Sequence, residues 1–156
     1  MSTLPKVSAV MPVGKGDTYY PLALACFSSQ DYEGELELVV VDNSDEPISV
    51  PDDPRIRYFR VERMPVGALR NYGNTQASGE VLINWDEDDW SAPNRISFQV
   101  QRLTDTRRAL TGFHNICFYN TVDGSTYKPK NSSHPANSWH VLSIFRDCPG
   151  TILATM

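Results

Sequence analysis

The run Leu38-Val39-Val40-Val41 constrains the fold more than any other feature of the sequence. An unbroken β-branched run is typical of a strand in a parallel sheet that is covered on both faces, so we predict a strand over 36–41. The run ends abruptly in Asp42-Asn43-Ser44-Asp45, which places polar groups directly after the strand. The sequence therefore predicts a buried parallel sheet with polar side chains at one edge.

The remaining elements alternate around this strand. Further strands are predicted over 7–11, 55–61 and 80–85, and helices are predicted to begin near Pro21, near Ala68 and after an N-cap at Ser91. The predicted buried stripes are Leu22, Cys26 and Ser29 beside Ala23 and Phe27 in the first helix, and Ile96, Val100 and Leu103 in the third. The order β-α-β-β-α-β-α predicts an α/β fold with a mostly parallel, doubly wound sheet.

The pattern changes after residue 108. Two strand-like stretches, 109–121 and 125–130, are separated by Val122-Asp123-Gly124, which is a hairpin signal, and a last short strand is predicted over 140–145. We therefore expect antiparallel strands to be added at the C-terminal end of the sheet. The 156 residues suit one domain, 1–156.

Composition and charge exclude several classes of protein. The net charge is -5, the sequence pI is about 5.1 and there is no Lys/Arg run, so binding to nucleic acid is not expected. The cluster Arg55, Arg57, Arg60 and Arg63 is interpreted as the solvated basic face of a strand. Three cysteines are too few for a disulfide framework or a zinc site, and no apolar stretch is long enough to span a membrane. We expect a reduced, cytoplasmic protein without a membrane span.

Four acidic residues, Asp86-Glu87-Asp88-Asp89, follow the fourth predicted strand. Their mutual repulsion is costly unless a cation or basic groups offset it, and carboxylate oxygens suit Mg²⁺ and Mn²⁺. A metal site and a solvated acidic turn both remain open. An EF-hand loop does not fit, because its sixth position here is Ser91 rather than glycine. An aspartyl-phosphatase nucleophile is disfavoured, because Trp90 occupies a position that is usually Thr or Val.

Two further polar residues lie at the same predicted edge. Arg70 is expected in the first turn of the second helix, where it could bind phosphate or simply pair with a nearby carboxylate. Asp42 can accept a hydrogen bond from a nucleobase or a ribose hydroxyl, or it can close the strand in an Asx-turn. The residues alone leave these alternatives open.

Five blocks of sequence, in order, resemble the nucleotide-binding half of glycosyltransferase family 2, the inverting enzymes with a GT-A fold. They cover about residues 7–103, and each is weak alone while the ordered combination is specific. The blocks are Val7 to Val13, Leu24 to Tyr32, Glu37 to Asp45, Gly67 to Asn74 with Ala77 to Glu80, and Asp86 to Trp90 with Pro93 to Ile96.

The resemblance implies metal-dependent transfer of a sugar from a nucleotide-diphospho-sugar, with a UDP-sugar favoured, to an unknown acceptor. It places Pro12 and Val13 at the base pocket and Asp42 and Asn43 on the nucleotide. Arg70 would lie near the base and diphosphate, and Asp86 near the ribose or diphosphate. The metal, Mn²⁺ or Mg²⁺, would be held by Asp86, Asp88 and Asp89. Residues 1–108 would then form the nucleotide-sugar-binding part and 109–156 a truncated acceptor-side part.

The sequence departs from the family beyond the acidic cluster. The family's base normally lies in an acidic segment well past the metal motif, but only 67 residues follow Asp89. Asp147 is the candidate base, ahead of His114, His134 and His140. The alternatives are a non-catalytic nucleotide-sugar-binding domain, or a half-enzyme completed by a homo-oligomer or a partner chain. A sugar-nucleotide nucleotidyltransferase ranks third, since Gly14-Lys15-Gly16 only faintly resembles its phosphate loop.

Overall fold

The computed structural model describes residues 4–14, 18–113, 118–120, 124–127 and 143–145. Its strands and helices are numbered in chain order. They are β1 (Val7–Val13), α1 (Tyr20–Ser28), β2 (Leu36–Asp42), β3 (Ile56–Arg60), α2 (Val66–Gln76), β4 (Val81–Asn84), α3 (Arg95–Thr106), β5 (Leu110–Thr111), β6 (Phe118–Tyr119), β7 (Thr126–Tyr127) and β8 (Ser143–Phe145).

The sheet confirms the predicted architecture. Its strand order is β3-β2-β1-β4-β8-β5, with β3, β2, β1 and β4 mutually parallel and β8 antiparallel to both β4 and β5. Every residue of β1 and all but the first of β2 are buried. One apolar cluster joins one face of the sheet to α1 and α3, and a second joins the other face to α2. The β-branched run is therefore covered on both faces, as predicted.

Details of the predictions for α1 and α3 were wrong. In α1 the buried residues are Ala23, Leu24, Cys26 and Phe27, whereas Leu22 is 43% exposed, so the inward stripe is rotated away from the one predicted. Helix α3 begins at Arg95 after Asn94, not after a cap at Ser91. Its first turn is instead capped by Gln30, whose Oε1 accepts a hydrogen bond from Ile96 N at 3.1 Å. Its predicted buried stripe of Ile96, Val100 and Leu103 is confirmed.

Helix α2 begins at Val66, two residues earlier than predicted, so Arg70 lies in its second turn and not its first. The helix lies very close to the sheet at Gly73, where an added Cβ would stand 2.3 Å from Val10 Cγ1 and 3.1 Å from Val41 Cγ2. Only glycine permits this approach, which fixes the height of α2 above the strands.

The extent predicted for the first C-terminal strand was wrong. The stretch 109–121 is not one strand, because β5 joins the large sheet and β6 pairs with β7. The predicted hairpin is confirmed by the pairs Phe118↔Tyr127 and Tyr119↔Thr126, with Gly124 at a φ of 73° in the turn. Within the described ranges, none of the helices has the length and apolar character needed to cross a bilayer.

Candidate functional site

A cleft of about 200 Å³ opens at the carboxyl ends of the parallel strands. Its walls are formed by the ends of β1, β2 and β4 and by the start of α2. Ligands of open α/β sheets bind at this end of the strands. The lining residues are Pro12, Gly14, Asn43, Arg63, Met64, Val66, Leu69 and Glu87. Pro12 and Asn43 were predicted site residues, and Glu87 belongs to the acidic cluster. Arg63, Met64 and Val66 were not anticipated, because they lie in a loop and a helix start that carry no motif of their own.

Arg70 and Asp86 meet beside this cleft. Arg70 Nη2 donates a hydrogen bond to Asp86 Oδ1 at 2.5 Å, and the Asp86 carboxylate is almost completely buried. Charge-assisted hydrogen bonds of this kind are short and strong. Arg70 Nε is buried without a hydrogen-bond partner, so the guanidinium retains a donor inside the site. The pairing alternative considered for Arg70 is therefore present, and it leaves capacity for a further acceptor.

Asp42 is fully buried at the end of β2, and both of its oxygens are engaged. Oδ1 accepts hydrogen bonds from Ser44 N and Ser44 Oγ, and Oδ2 accepts from Ile48 N and the Tyr58 hydroxyl. Arg60 Nη1 lies 3.0 Å from Oδ1. Burial opposes ionisation, but the hydrogen bonds from Ser44, Tyr58 and Ile48 outweigh it and lower the pKa of Asp42.

The bond from Ser44 N to Asp42 is the Asx-turn that the sequence left open. A carboxylate offers about four lone-pair positions, and the protein already supplies that many donors to Asp42. A nucleobase could bind Asp42 only by displacing one of them. Asp42 therefore shapes the end of β2 in this structure.

Asn43 fastens the strand ends around the cleft. Its backbone N–H donates to Val13 O at 3.0 Å, and its Nδ2 donates to Met64 O at 2.8 Å. Asn43 and Pro12 both line the cleft, whereas the Val13 side chain is fully buried in the core. The structure thus places Pro12 and Asn43 at the cleft wall and Val13 beneath it.

The acidic cluster does not gather its carboxylates around one point. Asp86 is buried against Arg70, Glu87 lines the cleft, Asp88 is exposed and Asp89 is partly buried. Across the residues that the structure describes, no group of three or more His, Cys, Asp or Glu side chains is arranged to hold a metal ion. Mg²⁺ often uses one or two protein carboxylates together with substrate phosphates. Asp88 suits that mode, because its carboxylate has no partner among the described residues.

Arg95 is a buried cation beneath the acidic cluster that the sequence did not single out. Its guanidinium lies 4.5 Å from the centre of the Trp85 ring and donates to Ser91 Oγ at 2.7 Å and to Asn84 O at 2.6 Å. Burial lowers the pKa of Arg95 to about 10, while the charges of Asp86 and Asp89 oppose that shift. Basic groups therefore offset part of the repulsion in the cluster. The only signal in the sequence was the arginine that follows Pro93-Asn94.

The arginines around β3 are solvated, as predicted, with 36% to 71% of each side chain accessible, but their charges are balanced. Each is paired with a carboxylate at 4 Å or less. The pairs are Arg55–Asp53, Arg57–Glu37, Arg60–Asp42 and Arg63–Asp45. The acidic partners lie on β2, in the loop that follows β2 or just before β3, so this exposed face carries little net positive charge. The candidate base Asp147 and the three histidines lie outside the described residues.

Known proteins resemble this chain in sequence. The family model described as glycosyl transferase family 2 matches residues 8–150. The chain is 31% identical over 111 residues to a GalNAc(5)-diNAcBac-PP-undecaprenol beta-1,3-glucosyltransferase of Campylobacter jejuni. That match covers 65% of this chain and 36% of the relative, so the chain spans about a third of the length of that protein.

Solved structures share the fold. The 1–349 fragment of S. aureus TarS superposes with a TM-score of 0.63 at 18% identity, covering 90% of this chain and 47% of that one. The mannosyltransferase PcManGT from Pyrobaculum calidifontis, solved in complex with GDP-Man and Mn²⁺, gives 0.61 at 19% identity, covering 91% and 45%. TarS 1–349 was also solved in complex with UDP-GlcNAc, with a TM-score of 0.56 at 20% identity, covering 67% and 33%. Both folds are GT-A-like and place a parallel sheet as this chain does.

Proposed function

The chain belongs to glycosyl transferase family 2, and from this premise we propose that it transfers a sugar from a nucleotide-diphospho-sugar bound at the cleft. A UDP-sugar is the favoured donor, and the acceptor is unassigned. The observation that carries the proposal is the meeting of Asn43, Glu87 and the Arg70–Asp86 pair at the carboxyl ends of the parallel strands.

Each part of the cleft has a distinct chemical role in this proposal. The apolar Pro12, Met64 and Val66 offer a wall for the base, while Asn43 holds that wall together through its bond to Met64 O. Direct contact of Asp42 and Val13 with the nucleotide stays a prediction; in the ligand-free structure Asp42 closes the turn after β2 and the Val13 side chain lies in the core.

Arg70 is proposed to bind the diphosphate. Because 35% of its side chain remains accessible, its outer N–H groups can donate to phosphate oxygens while Nη2 stays bonded to Asp86. Asp86 orients the guanidinium through the 2.5 Å hydrogen bond and balances its charge before the donor arrives. Phosphate binding would thus use a cation that is already held in place.

Asp88 is proposed to ligate Mn²⁺ or Mg²⁺ together with the donor phosphates, with Asp89 and Asp86 close by. When bound, the ion offsets the negative charge that develops on the departing nucleoside diphosphate. Inverting transfer also needs a carboxylate that removes the acceptor proton, and Asp147 remains the sequence prediction for it.

Calorimetry with UDP, with and without Mn²⁺, tests the site. Asp88→Ala should remove the Mn²⁺-dependent part of UDP affinity, by about tenfold or more, and Asp105→Ala, which removes an exposed carboxylate on α3, should not. Arg70→Met should weaken UDP binding with and without metal. Metal-independent UDP binding that Asp88→Ala leaves intact would contradict the metal site.

Turnover is tested with a panel of nucleotide sugars and Mn²⁺, by measuring release of the nucleoside diphosphate. We expect slow hydrolysis of at least one UDP-sugar without added acceptor. The second candidate is a nucleotide-sugar-binding domain or half-enzyme that binds the donor at the same cleft and needs a partner chain for transfer. Tight donor binding with no turnover of any donor would select that candidate, and sedimentation would show whether the chain self-associates. The cytoplasmic location stays a prediction.

A further inference from the structure

Trp90 is the most exposed of the large apolar side chains that the structure describes, with 69% of its surface accessible. Trp85, five residues earlier, is fully buried. Single exposed apolar residues are common on protein surfaces, so exposure alone assigns no role to Trp90. Its position and its fixed backbone are what distinguish it.

Trp90 directly follows the acidic cluster at the carboxyl end of β4. Glu87, which lines the cleft, lies three residues earlier, and a chain of three residues spans at most about 11 Å. Asp88, the proposed metal ligand, lies two residues earlier. The Cα of Trp90 is therefore close enough for its exposed side chain to reach the diphosphate end of a bound donor and the sugar attached to it.

The chain on the C-terminal side of Trp90 is fastened to α1 and α3. The backbone N–H of Ser91 donates to Cys26 Sγ at 3.4 Å, and Ser91 Oγ accepts from Arg95. Gln30 Nε2 donates to Ala92 O at 2.8 Å. Because this backbone is already held in place, ordering the indole against a ligand costs little additional entropy.

The chemistry of this surface favours a neutral, flat and partly apolar ligand. The indole offers a large apolar face, and the acidic cluster beside it repels anions. A pyranose ring has a face of C–H groups that can lie on an aromatic ring while its hydroxyls stay hydrogen-bonded at the rim. We propose that Trp90 is a stacking platform for the pyranose ring of a substrate sugar. This inference rests on the proposed function and extends it to the sugar-recognising residue.

The test compares Trp90→Ala with wild type by calorimetry in Mn²⁺, using UDP and UDP-GlcNAc, and by titration of free GlcNAc in the presence of UDP and Mn²⁺. Trp90→Ala should leave UDP affinity unchanged and weaken sugar-dependent binding about 3- to 10-fold. Trp90→Phe, which keeps an aromatic face, should restore part of the loss. Phe98→Ala, which removes a 45% exposed aromatic that stacks on Phe113, is the matched control.

The two arms of this experiment separate the two sources of the sugar. Loss of the extra affinity of UDP-GlcNAc over UDP assigns Trp90 to the donor sugar, and loss of free GlcNAc binding alone assigns it to the acceptor sugar. Unchanged binding in both arms, with wild type still binding UDP, would overturn the inference. If wild type binds no UDP, the proposed function fails. The Trp90 inference is then tested by titrating GlcNAc directly into wild type and Trp90→Ala, and equal GlcNAc binding would overturn the inference.

Discussion

Glu37 lies near the amino-terminal ends of the central strands, at the end of the sheet opposite the cleft. Replacing it by glutamine should destabilise the protein measurably. Its Oε1 accepts hydrogen bonds from Ser8 Oγ at 2.6 Å, Ser78 N at 2.7 Å and Ser78 Oγ at 2.8 Å. Arg57 Nη1 lies 3.3 Å from Oε2 and also donates to Gln76 O. One carboxylate therefore ties β1, β2, β3 and the segment after α2 together. Glu37→Gln keeps the size of the side chain and removes its charge.

The magnitude follows from the pKa of Glu37. Burial alone would raise this pKa, but the hydrogen bonds from Ser8, Ser78 and Arg57 outweigh burial and lower it from 4.5 to about 2. At about 1.4 kcal/mol per pH unit, this difference corresponds to about 3 kcal/mol in favour of the ionised folded state. Because a glutamine oxygen can still accept some of these hydrogen bonds, we expect Glu37→Gln to lower the free energy of unfolding by about 2 to 3 kcal/mol near neutral pH.

The sign of the pH dependence is fixed by the direction of the shift. A folded-state pKa below the unfolded value adds stability that is fully present above pH 4.5 and is lost as the pH falls towards about 2. The difference between wild type and Glu37→Gln should therefore be constant from neutral pH to about pH 5. It should then shrink progressively between pH 4.5 and about 2.

Urea unfolding followed by far-UV circular dichroism across this pH range measures that difference. Glu35→Gln is the matched control, because Glu35 precedes β2, its side chain is mostly exposed and its carboxylate pairs with Lys6 at the surface. That variant should change stability by less than about 0.5 kcal/mol. A Glu37→Gln cost below that of the control, or a cost that does not shrink in acid, would refute the reasoning.

Two other substitutions test contacts of the same sheet. Gly73→Ala should destabilise the fold by roughly 1 to 3 kcal/mol despite alanine's higher helix propensity, since its Cβ would lie 2.3 Å from Val10 Cγ1. Urea unfolding measures this change, and a stabilised variant would contradict the close packing. Tyr58→Phe should lower the free energy of unfolding by about 1 kcal/mol and raise the pKa of Asp42, because it removes a donor to Asp42 Oδ2. As the pH falls, the variant should therefore begin to lose stability at a higher pH than wild type. An unchanged acid transition in urea unfolding would argue against that hydrogen bond.

Much of the fold could be predicted from local sequence. The run ending at Val41 predicted a buried parallel strand, and the hairpin around Gly124 followed from its turn residues. Such predictions succeed because hydrophobic periodicity and turn chemistry depend on neighbouring residues. The first helix failed in part, because Leu22 is as apolar as Leu24 and only packing against the sheet decides which one is buried.

The sequence predicted where the candidate site would lie, but it did not predict which side chains would bond to each other there. Strand ends and the acidic cluster located it, and the family resemblance supplied roles. The sequence left open whether Arg70 pairs with a carboxylate and whether Asp42 closes a turn, and the structure contains both arrangements. Arg95 belonged to a block of the family resemblance but was given no role, because a buried arginine over Trp85 is recognisable only when the two side chains are brought together.

By itself, the sequence determined the α/β class and the parallel strands, and it predicted the strand ends at which a ligand would bind, since each depends on short stretches of apolar and polar residues. Only the tertiary structure decided which donor each buried carboxylate receives. Arg70 and Asp86 are 16 residues apart, and Ser78 and Glu37 are 41 apart. A charged group taken out of water must find a partner wherever the fold brings one. That partner depends on the height of α2 above the sheet and not on the spacing of residues along the chain.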